Sequence, residues 1–148
     1  MAALVAALTL AVPSCHGVTD NVLCMPLPRA WHSSVGFGYT AQGPAAWMLA
    51  GNFRFPKDAA KHEASPIVPP QRVLITIGDF PILDKKWERW GRVERVRLPR
   101  RSTTKRLVSW HVRFAHRALF LSVRFGSKPD ATARRLVNRR LESVRRIG

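Results

Sequence analysis

The sequence has few cysteines and lacks the residue spacings that build metal centres and covalent catalytic sites. It contains only two cysteines, so no second pair exists to complete a zinc site with cysteine ligands. Its five histidines show no ligand spacing such as H-E-x-x-H. Ser33, Ser34 and Ser109 lack the tight turn that presents a nucleophilic serine. The sequence therefore predicts no metal, no cofactor and no catalytic residue, which favours a non-enzymatic function.

The N-terminal apolar run is too short to cross a membrane. It extends for 11 residues, from Ala2 to Val12, whereas a transmembrane helix needs about 20. A run of this length is typical of a secretory signal, although no Lys or Arg precedes it. Small residues before Cys15 fit either a signal-peptidase site or a weak lipobox. We expect residues 1–14 to be the signal segment of an exported protein, and a buried N-terminal helix is the alternative.

Cys15 has two expected fates that exclude each other. In the first, it forms a disulfide with Cys24, which closes a short loop and suits an oxidising compartment. In the second, Cys15 is lipidated and becomes the mature N-terminus, which leaves Cys24 unpaired. The second fate would anchor the protein on the outer face of the membrane, whereas the first is compatible with an extracellular protein.

Acidic residues are scarce in the C-terminal part of the chain. Residues 1–84 contain five basic and five acidic residues, whereas residues 85–148 contain 20 basic and four acidic ones. The formal net charge of +16 therefore lies entirely in residues 85–148. Charge segregated in this way predicts an anionic partner, which is an anionic lipid, a wall polymer or a nucleic acid.

Arginine makes up most of the basic residues of the whole chain, with 19 Arg against six Lys. The planar guanidinium group suits phosphate and carboxylate ligands, whereas codon bias in a GC-rich genome is the alternative explanation. Arg135, Arg139 and Arg140 fall opposite the apolar stripe of a predicted C-terminal helix. We expect these three arginines to form part of an anion-binding face.

Hydrophobic periodicity predicts strands followed by a closing helix. Residues 73–77 are β-branched and almost continuously apolar, which indicates a central strand. Residues 107–114 and 119–125 alternate as a hairpin would, in a register that pairs Trp110 with Val123. A helix is expected from an N-cap at Ser127 to about Ile147.

These elements predict an α+β fold, in which an antiparallel sheet of about four or five strands carries the C-terminal helix on one face. A chain of 148 residues is long enough for one such domain. We assign residues 1–14 to the signal segment, residues 15–34 to a loosely ordered linker and residues 35–148 to the single α+β domain.

One segment combines tryptophans with cations. Trp87 and Trp90 lie among four basic residues, a mixture typical of proteins that bind single-stranded nucleic acid. The alternative is a solvated basic surface in which both tryptophans belong to the core or its rim. The four basic residues are Lys85, Lys86, Arg89 and Arg92.

Asp79 is the only carboxylate that invites a catalytic interpretation. It follows the predicted central strand, and carboxylates at strand ends can line clefts. No second catalytic group accompanies it, so a cap or turn role is the favoured interpretation. An envelope hydrolase is therefore the least favoured function.

The stretches AWMLAGNFRFP (residues 46–56) and VLITIGDFP (residues 73–81) occur together with VRFGSKP (residues 123–129) and the final helix. In combination they resemble small exported proteins of high-GC actinobacteria, for which no activity is known. The resemblance covers roughly residues 45–147. It implies a set of strands with a closing helix and implies export, but it implies no activity.

Together these observations favour an exported, non-enzymatic protein whose basic C-terminal half contacts anionic lipid or wall polymer. The alternative is a cytoplasmic nucleic-acid-binding protein, which applies if residues 1–14 form a core helix rather than a signal. The two functions share the same physical basis, since both use the positive charge of residues 85–148.

Overall fold

The computed structural model describes residues 13–16, 22–41, 43–61, 65–81, 85–101 and 105–147. Two short 3-10 helices, at Ala59–Lys61 and Lys85–Arg89, lie before and after the strand Val73–Pro81. The described residues also form eight strands and one α-helix: β1 (Pro13–His16), β2 (Val22–Pro26), β3 (His32–Thr40), β4 (Gly43–Gly51), β5 (Val73–Pro81), β6 (Leu107–Phe114), β7 (Arg117–Phe125), α1 (Ala133–Glu142) and β8 (Arg145–Ile147).

Five strands form the main sheet in the order β3-β4-β5-β7-β6, and every neighbouring pair is antiparallel. β5 is the central strand, as its β-branched run predicts, and Ile75 and Ile77 on it are fully buried. The α+β class and the antiparallel sheet are therefore confirmed. A second, smaller sheet was not predicted.

One face of the main sheet, called the inner face below, carries the principal core. Met48 of β4, Ile77 of β5 and Leu121 of β7 project from it and are fully buried. α1 packs against this core because its apolar residues recur every four positions and so lie along one side of the helix. The buried side chains of α1 are Ala133, Val137 and Leu141.

β6 and β7 form a hairpin over the predicted residues, but the predicted register was wrong by two residues. Trp110 is half-buried and lies opposite Leu121 rather than Val123. The difference arises in the turn, where Ala115 and His116 have φ angles of 48° and 63°. A two-residue turn with positive φ at both positions matches the twist of the strands, and Ala-His does not signal it as Asn-Gly would. A shift of two residues leaves every side chain on its predicted face.

The smaller sheet has three strands in the order β1-β2-β8 and occupies much of the predicted linker. Leu23 and Met25 of β2 are fully buried in the principal core, and Trp31 is nearly so. The described residues within 15–34 are thus ordered parts of the domain. The prediction gave most weight to the turn-forming residues of this segment, whereas its apolar side chains supply the burial that orders it.

α1 is shorter than the predicted helix at both ends. It begins at Ala133 rather than just after Ser127. The N–H of Lys128 donates to the carbonyl oxygen of Pro70 over 2.8 Å, so this segment packs against the proline-rich loop instead of starting a helix. At the other end Arg145–Ile147 pair with β2 as β8, and strand hydrogen bonds replace the expected helical ones.

The apolar run from Ala2 to Val12 lies outside the described residues, whereas the last two residues of the predicted signal segment, Pro13 and Ser14, belong to β1. Among the residues that are described, no helix combines the length and hydrophobicity needed to cross a bilayer. The signal segment and the export that it implies stay predictions.

Candidate anion-binding surface

The main sheet has a second face, called the outer face below, which α1 does not cover. At one end of this face, Leu49 and Leu74 are buried beneath the connection between β4 and β5. At the other end lies the 3-10 helix Lys85–Arg89, whose Trp87 is buried. Between these ends the hairpin presents side chains that are half-buried or exposed: Leu107, Ser109, His111, Phe120, Ser122 and Arg124.

Aromatic rings contact one another across the outer face. Trp47 of β4 meets Phe80 of β5 edge to face, with ring centroids 5.9 Å apart, and Phe80 meets Trp87 at 5.5 Å. Trp87 and Trp90 are stacked, with centroids 5.2 Å apart and an interplanar angle of 6°. Gly78 makes room for these rings, because a Cβ there would lie 2.8 Å from the Phe80 ring. The contacts are offset or edge-to-face arrangements that stabilise aromatic pairs.

The hairpin continues this series of rings. The ring centroids of Trp90 and His111 are 4.3 Å apart, and those of His111 and Phe120 are 5.1 Å apart. Arg113 holds the two segments together, because its Nε donates to the carbonyl oxygen of Trp90 over 2.8 Å. Its backbone also bridges in parallel to Arg92 at the edge of β6. The six residues Trp47, Phe80, Trp87, Trp90, His111 and Phe120 are called the aromatic series below.

Exposed cations lie next to the aromatic series. Three project from the 3-10 helix that carries Trp87, and the fourth belongs to the segment that bridges to β6. Rings beside cations can bind a polyanion in two ways at once, because the rings stack on flat groups while the cations contact phosphates. These four residues, called the basic rim below, are Lys85, Lys86, Arg89 and Arg92.

Polar side chains extend the outer face toward the open end of the hairpin. Ser109 lies opposite Ser122, and their hydroxyl oxygens are 3.3 Å apart. Arg124 is half-buried on the same face, opposite Leu107 rather than Ser109 as the predicted register required. Hydroxyl groups and a guanidinium group thus follow the aromatic series along the hairpin.

His111 contributes to this surface as a neutral ring. Burial lowers its pKa from the ordinary value of 6.5, so the uncharged form predominates at neutral pH. His116 lies in the hairpin turn, away from any cluster of ligands, and His62 lies outside the described residues. No group of three or more His, Cys, Asp or Glu residues in the described ranges could hold a metal ion.

The three arginines predicted to bind anions have different environments. Arg135 and Arg139 are exposed one turn apart on α1. The Nη1 of Arg140 donates to the carbonyl oxygen of Pro26 over 3.2 Å, and burial together with the charge of Arg139 lowers the pKa of Arg140. Arg140 therefore belongs partly to the contact between α1 and β2. Because α1 packs on the inner face, Arg135 and Arg139 belong to the opposite side of the main sheet from the aromatic series.

Asp79 lies within β5 and faces the core instead of a cleft. Its exposed fraction is 0%, and that of Arg117 is 3%. The Arg117 Nε donates to Asp79 Oδ1 over 2.6 Å. Burial raises the pKa of Asp79, and the hydrogen bond and charge of Arg117 oppose this rise. A carboxylate without exposed surface does not meet a substrate, so Asp79 has a structural role as half of a buried ion pair.

Cys24 is buried and disulfide-bonded. The other cysteine of the sequence is Cys15, which lies directly opposite Cys24 in the register of β1 and β2. Residues that face each other on antiparallel strands are close enough for a disulfide. The described cysteines thus include no free thiol.

No protein-family model matches the chain, and neither a curated protein nor a solved structure shows significant similarity to it. The resemblance to exported actinobacterial proteins therefore stays a prediction.

The sequence indicated part of the outer surface and missed the rest. The cations that flank Trp87 and Trp90 in the sequence indicate these two residues. Trp47, Phe80 and Phe120 were missed, since they lie far apart in the sequence and meet only through the strand order. Alternation is the available signal: Phe120 shares a face of its strand with the polar Ser122 and Arg124, which marks that face as incompletely buried.

Proposed function

We propose that the protein is an exported binding protein whose ligand is a phosphate-rich anionic polymer of the cell envelope. The observation that supports this proposal is the position of the basic rim beside the aromatic series on the outer face. The proposal has no catalytic step, and it assigns the positive charge of the C-terminal half to ligand binding.

The two parts of the surface favour a polymer over a small anion. Guanidinium groups bind phosphate oxygens through paired N–H donors. Aromatic rings instead pack against the flat or apolar parts of a ligand. A polymer that alternates phosphates with uncharged linking units can use both parts at once, whereas a single phosphate can use only the cations.

Export is supported by two independent features. The first is the 11-residue apolar run that ends in small residues before Cys15. The second is the disulfide at Cys24, because such bonds form and persist in oxidising compartments and are rare in the cytosol. Both features agree with a ligand on the outer side of the membrane.

Single-stranded nucleic acid is the second candidate ligand. The accessible rings favour it, namely the half-buried Trp90 and Phe120 and the exposed His111 between them, because unpaired bases stack on such rings. Base stacking on aromatic side chains contributes about 1–3 kcal/mol per base. This candidate requires a protein that meets nucleic acid, either in the cytoplasm or outside the cell.

Binding measurements with four probes at physiological salt distinguish these ligands. The probes are poly(glycerol phosphate), oligo-dT, an abasic oligonucleotide of the same length, and vesicles that contain phosphatidylglycerol. The abasic oligonucleotide is the matched control for oligo-dT, because it keeps the phosphates and lacks the bases.

The proposed function predicts binding to poly(glycerol phosphate) and comparable binding to the two oligonucleotides. Binding to oligo-dT at least about tenfold tighter than to its abasic counterpart would support the nucleic-acid candidate, since one stacked base suffices for that ratio. Binding to vesicles alone would overturn both candidates in favour of a lipid surface. If none of the four probes binds, the basic half is a solvated surface and the proposal is wrong.

A further inference from the structure

We propose a discrete phosphate-binding site in the cleft between the open end of the β6–β7 hairpin and the beginning of α1. This site lies at the opposite end of the hairpin from the basic rim, and it does not depend on the proposed polymer binding. The cleft has a volume of about 210 Å³. About 10–15 Å³ of such volume is enough for one water molecule, so the cleft has room for a phosphate group and part of the molecule to which it is esterified.

Three cations and one acid line the cleft. Lys105 and Arg106 are exposed residues that precede β6, and Arg134 is half-buried in the first turn of α1. The acid is Asp130, in the turn before α1. The lining therefore carries a formal charge of +2, which favours an anion that bears two negative charges.

Phe125 at the end of β7 positions two of these cations. The guanidinium carbon of Arg134 lies 5.7 Å from the centroid of the Phe125 ring, within the range of a cation–π interaction. The N–H of Phe125 donates to the carbonyl oxygen of Arg106 over 2.7 Å. The ring thus orients one cation while the backbone holds the residue that carries another. Groups that are positioned in advance lose less conformational entropy when a ligand binds.

The wall of the cleft is also fixed by close packing. Gly126 follows Phe125, and a Cβ at that position would lie 1.9 Å from the carbonyl oxygen of Pro69. The N–H of Gly126 donates to the carbonyl oxygen of Arg72 over 2.9 Å. The end of β7 is therefore held against the proline-rich loop, and any larger residue at Gly126 would displace it.

Asp130 stabilises the turn before α1, and its negative charge opposes the binding of an anion. Its Oδ1 accepts a hydrogen bond from the N–H of Thr132 over 2.9 Å, and its carbonyl oxygen accepts one from Ala133 over 2.9 Å. An asparagine keeps the Oδ1 acceptor while removing the charge. Asp130→Asn therefore reports the sign of the ligand without removing the turn.

The chemistry of the cations selects phosphate over carboxylate. Two guanidinium groups and one ammonium group offer donors to three oxygen atoms, which a phosphate group supplies and a carboxylate does not. The phosphate can come from free phosphate, from a small phosphate ester or from a lipid headgroup. These sources share one recognition chemistry and differ in what surrounds the phosphate group.

Calorimetric titration of the full chain at physiological ionic strength tests the site. The probes are inorganic phosphate, glycerol 3-phosphate, vesicles that contain phosphatidic acid, and acetate as the carboxylate control. The variants are Arg106→Gln, which removes an exposed charge, and Arg134→Lys, which keeps the charge and removes the planar fork. Asp130→Asn reports the sign of the ligand, and Arg95→Gln is the matched control, since Arg95 is exposed outside the cleft.

We expect inorganic phosphate to bind more tightly than acetate, and we expect Arg106→Gln and Arg134→Lys each to weaken binding about tenfold. Asp130→Asn should tighten binding, and Arg95→Gln should leave it unchanged. Glycerol 3-phosphate or vesicles that bind more tightly than inorganic phosphate would identify the ester or the headgroup as the source. Failure of inorganic phosphate to bind, equal loss in Arg95→Gln, or weaker binding in Asp130→Asn would each overturn the proposal. Circular dichroism of the variants separates these outcomes from a loss of folding.

Discussion

Arg117 and Asp79 form an ion pair inside the core, with 2.6 Å between Arg117 Nε and Asp79 Oδ1. The pair arises from the register of β5 and β7, in which Pro81 opposes Arg117 and Asp79 opposes Leu119. Both charged side chains therefore project from the inner face, on a diagonal between neighbouring strands. Each charge has been removed from water, so each depends on the other for compensation.

Removal of one partner of this pair should be much more damaging than removal of both. Asp79→Leu or Arg117→Met should each lower the free energy of unfolding by about 3–5 kcal/mol, because each leaves an uncompensated buried charge. The double variant should be more stable than either single variant. Urea denaturation of the three variants measures these values. If the double variant lost as much free energy of unfolding as the two single variants together, the two side chains would not compensate each other.

The stability of the protein should depend on the protonation of His111. Burial lowers the pKa of this histidine in the folded state from its ordinary value of 6.5, so folding favours the neutral form. The contribution of neutral His111 to stability is present above pH 6.5, and it is lost as the pH falls through the lower pKa that His111 has in the folded state. We expect unfolding midpoints to fall on acidification, and to fall less in His111→Phe. An NMR titration that puts the pKa of His111 above 6.5 would contradict this.

The salt dependence of binding should show whether the polyanion binds at the basic rim or on α1. For single strands, each phosphate contact contributes about −0.7 to the slope of log binding constant against log salt. Replacing Lys85 and Arg89 by Gln should make the slope for oligo-dT less steep by about 1.4, since two contacts are lost. Replacing Arg135 and Arg139 by Gln removes the same charge from α1 and should leave the slope unchanged. The reverse result would place the anion-binding face on α1, as the sequence predicts.

Arg140 is left unchanged in that comparison for a structural reason. Its guanidinium donates to the carbonyl oxygen of Pro26. A substitution there would disturb the contact between α1 and β2 and would confuse binding with folding. The exposed arginines are suitable because exposed charges contribute little to stability.

A thiol assay should separate the two fates of Cys15. If Cys15 and Cys24 are bonded, the unreduced protein exposes no reactive thiol even after denaturation. If Cys15 is lipidated, denaturation exposes one thiol, that of Cys24. We expect no thiol, and we expect reduction to lower the free energy of unfolding by about 2–3 kcal/mol, because it releases a short closed loop.

The mature chain should begin at or near Cys15. The apolar run of 11 residues and the small residues that follow it motivate this expectation. Mass spectrometry of the N-terminus, on protein from separated cell fractions, is the measurement. Recovery of cytosolic protein that still starts at Met1 or Ala2 would contradict export. Nucleic acid would then be the favoured ligand of the basic rim and the aromatic series.

Local patterns were enough to predict the central strand, the hairpin residues and the closing helix. Val73, Leu74, Ile75 and Ile77 are buried although they alternate between the two faces, so the β-branched run identifies the central strand without knowledge of its neighbours. Local patterns do not predict the hairpin register, because the register depends on the positive φ angles of Ala115 and His116 in the turn. The last residues were also misassigned, since Val144 and Ile147 fit helical spacing although Arg145–Ile147 pair with β2.

In the candidate sites too, local sequence patterns identify some residues, and only the fold brings the others together. Trp87 and Trp90 are close in sequence to their cations, so composition alone selects them. The cleft gathers residues from separate segments, with Lys105 and Arg106 before β6, Phe125 at the end of β7 and Arg134 in α1, and no local pattern relates them. Arg140 matched the pattern of an exposed helix face, and its contact with Pro26 depends on a strand 114 residues earlier.

Sequence patterns are sufficient for the α+β class, the central strand and the confinement of the net positive charge to residues 85–148. These properties depend on periodicity and composition, which are local or additive. Tertiary packing determines on which face of the sheet each cation lies, which rings meet, and that Asp79 is paired inside the core instead of exposed in a cleft. Those outcomes depend on strand order and register, since a side chain acquires its neighbours and its distance from water only when distant segments pack together.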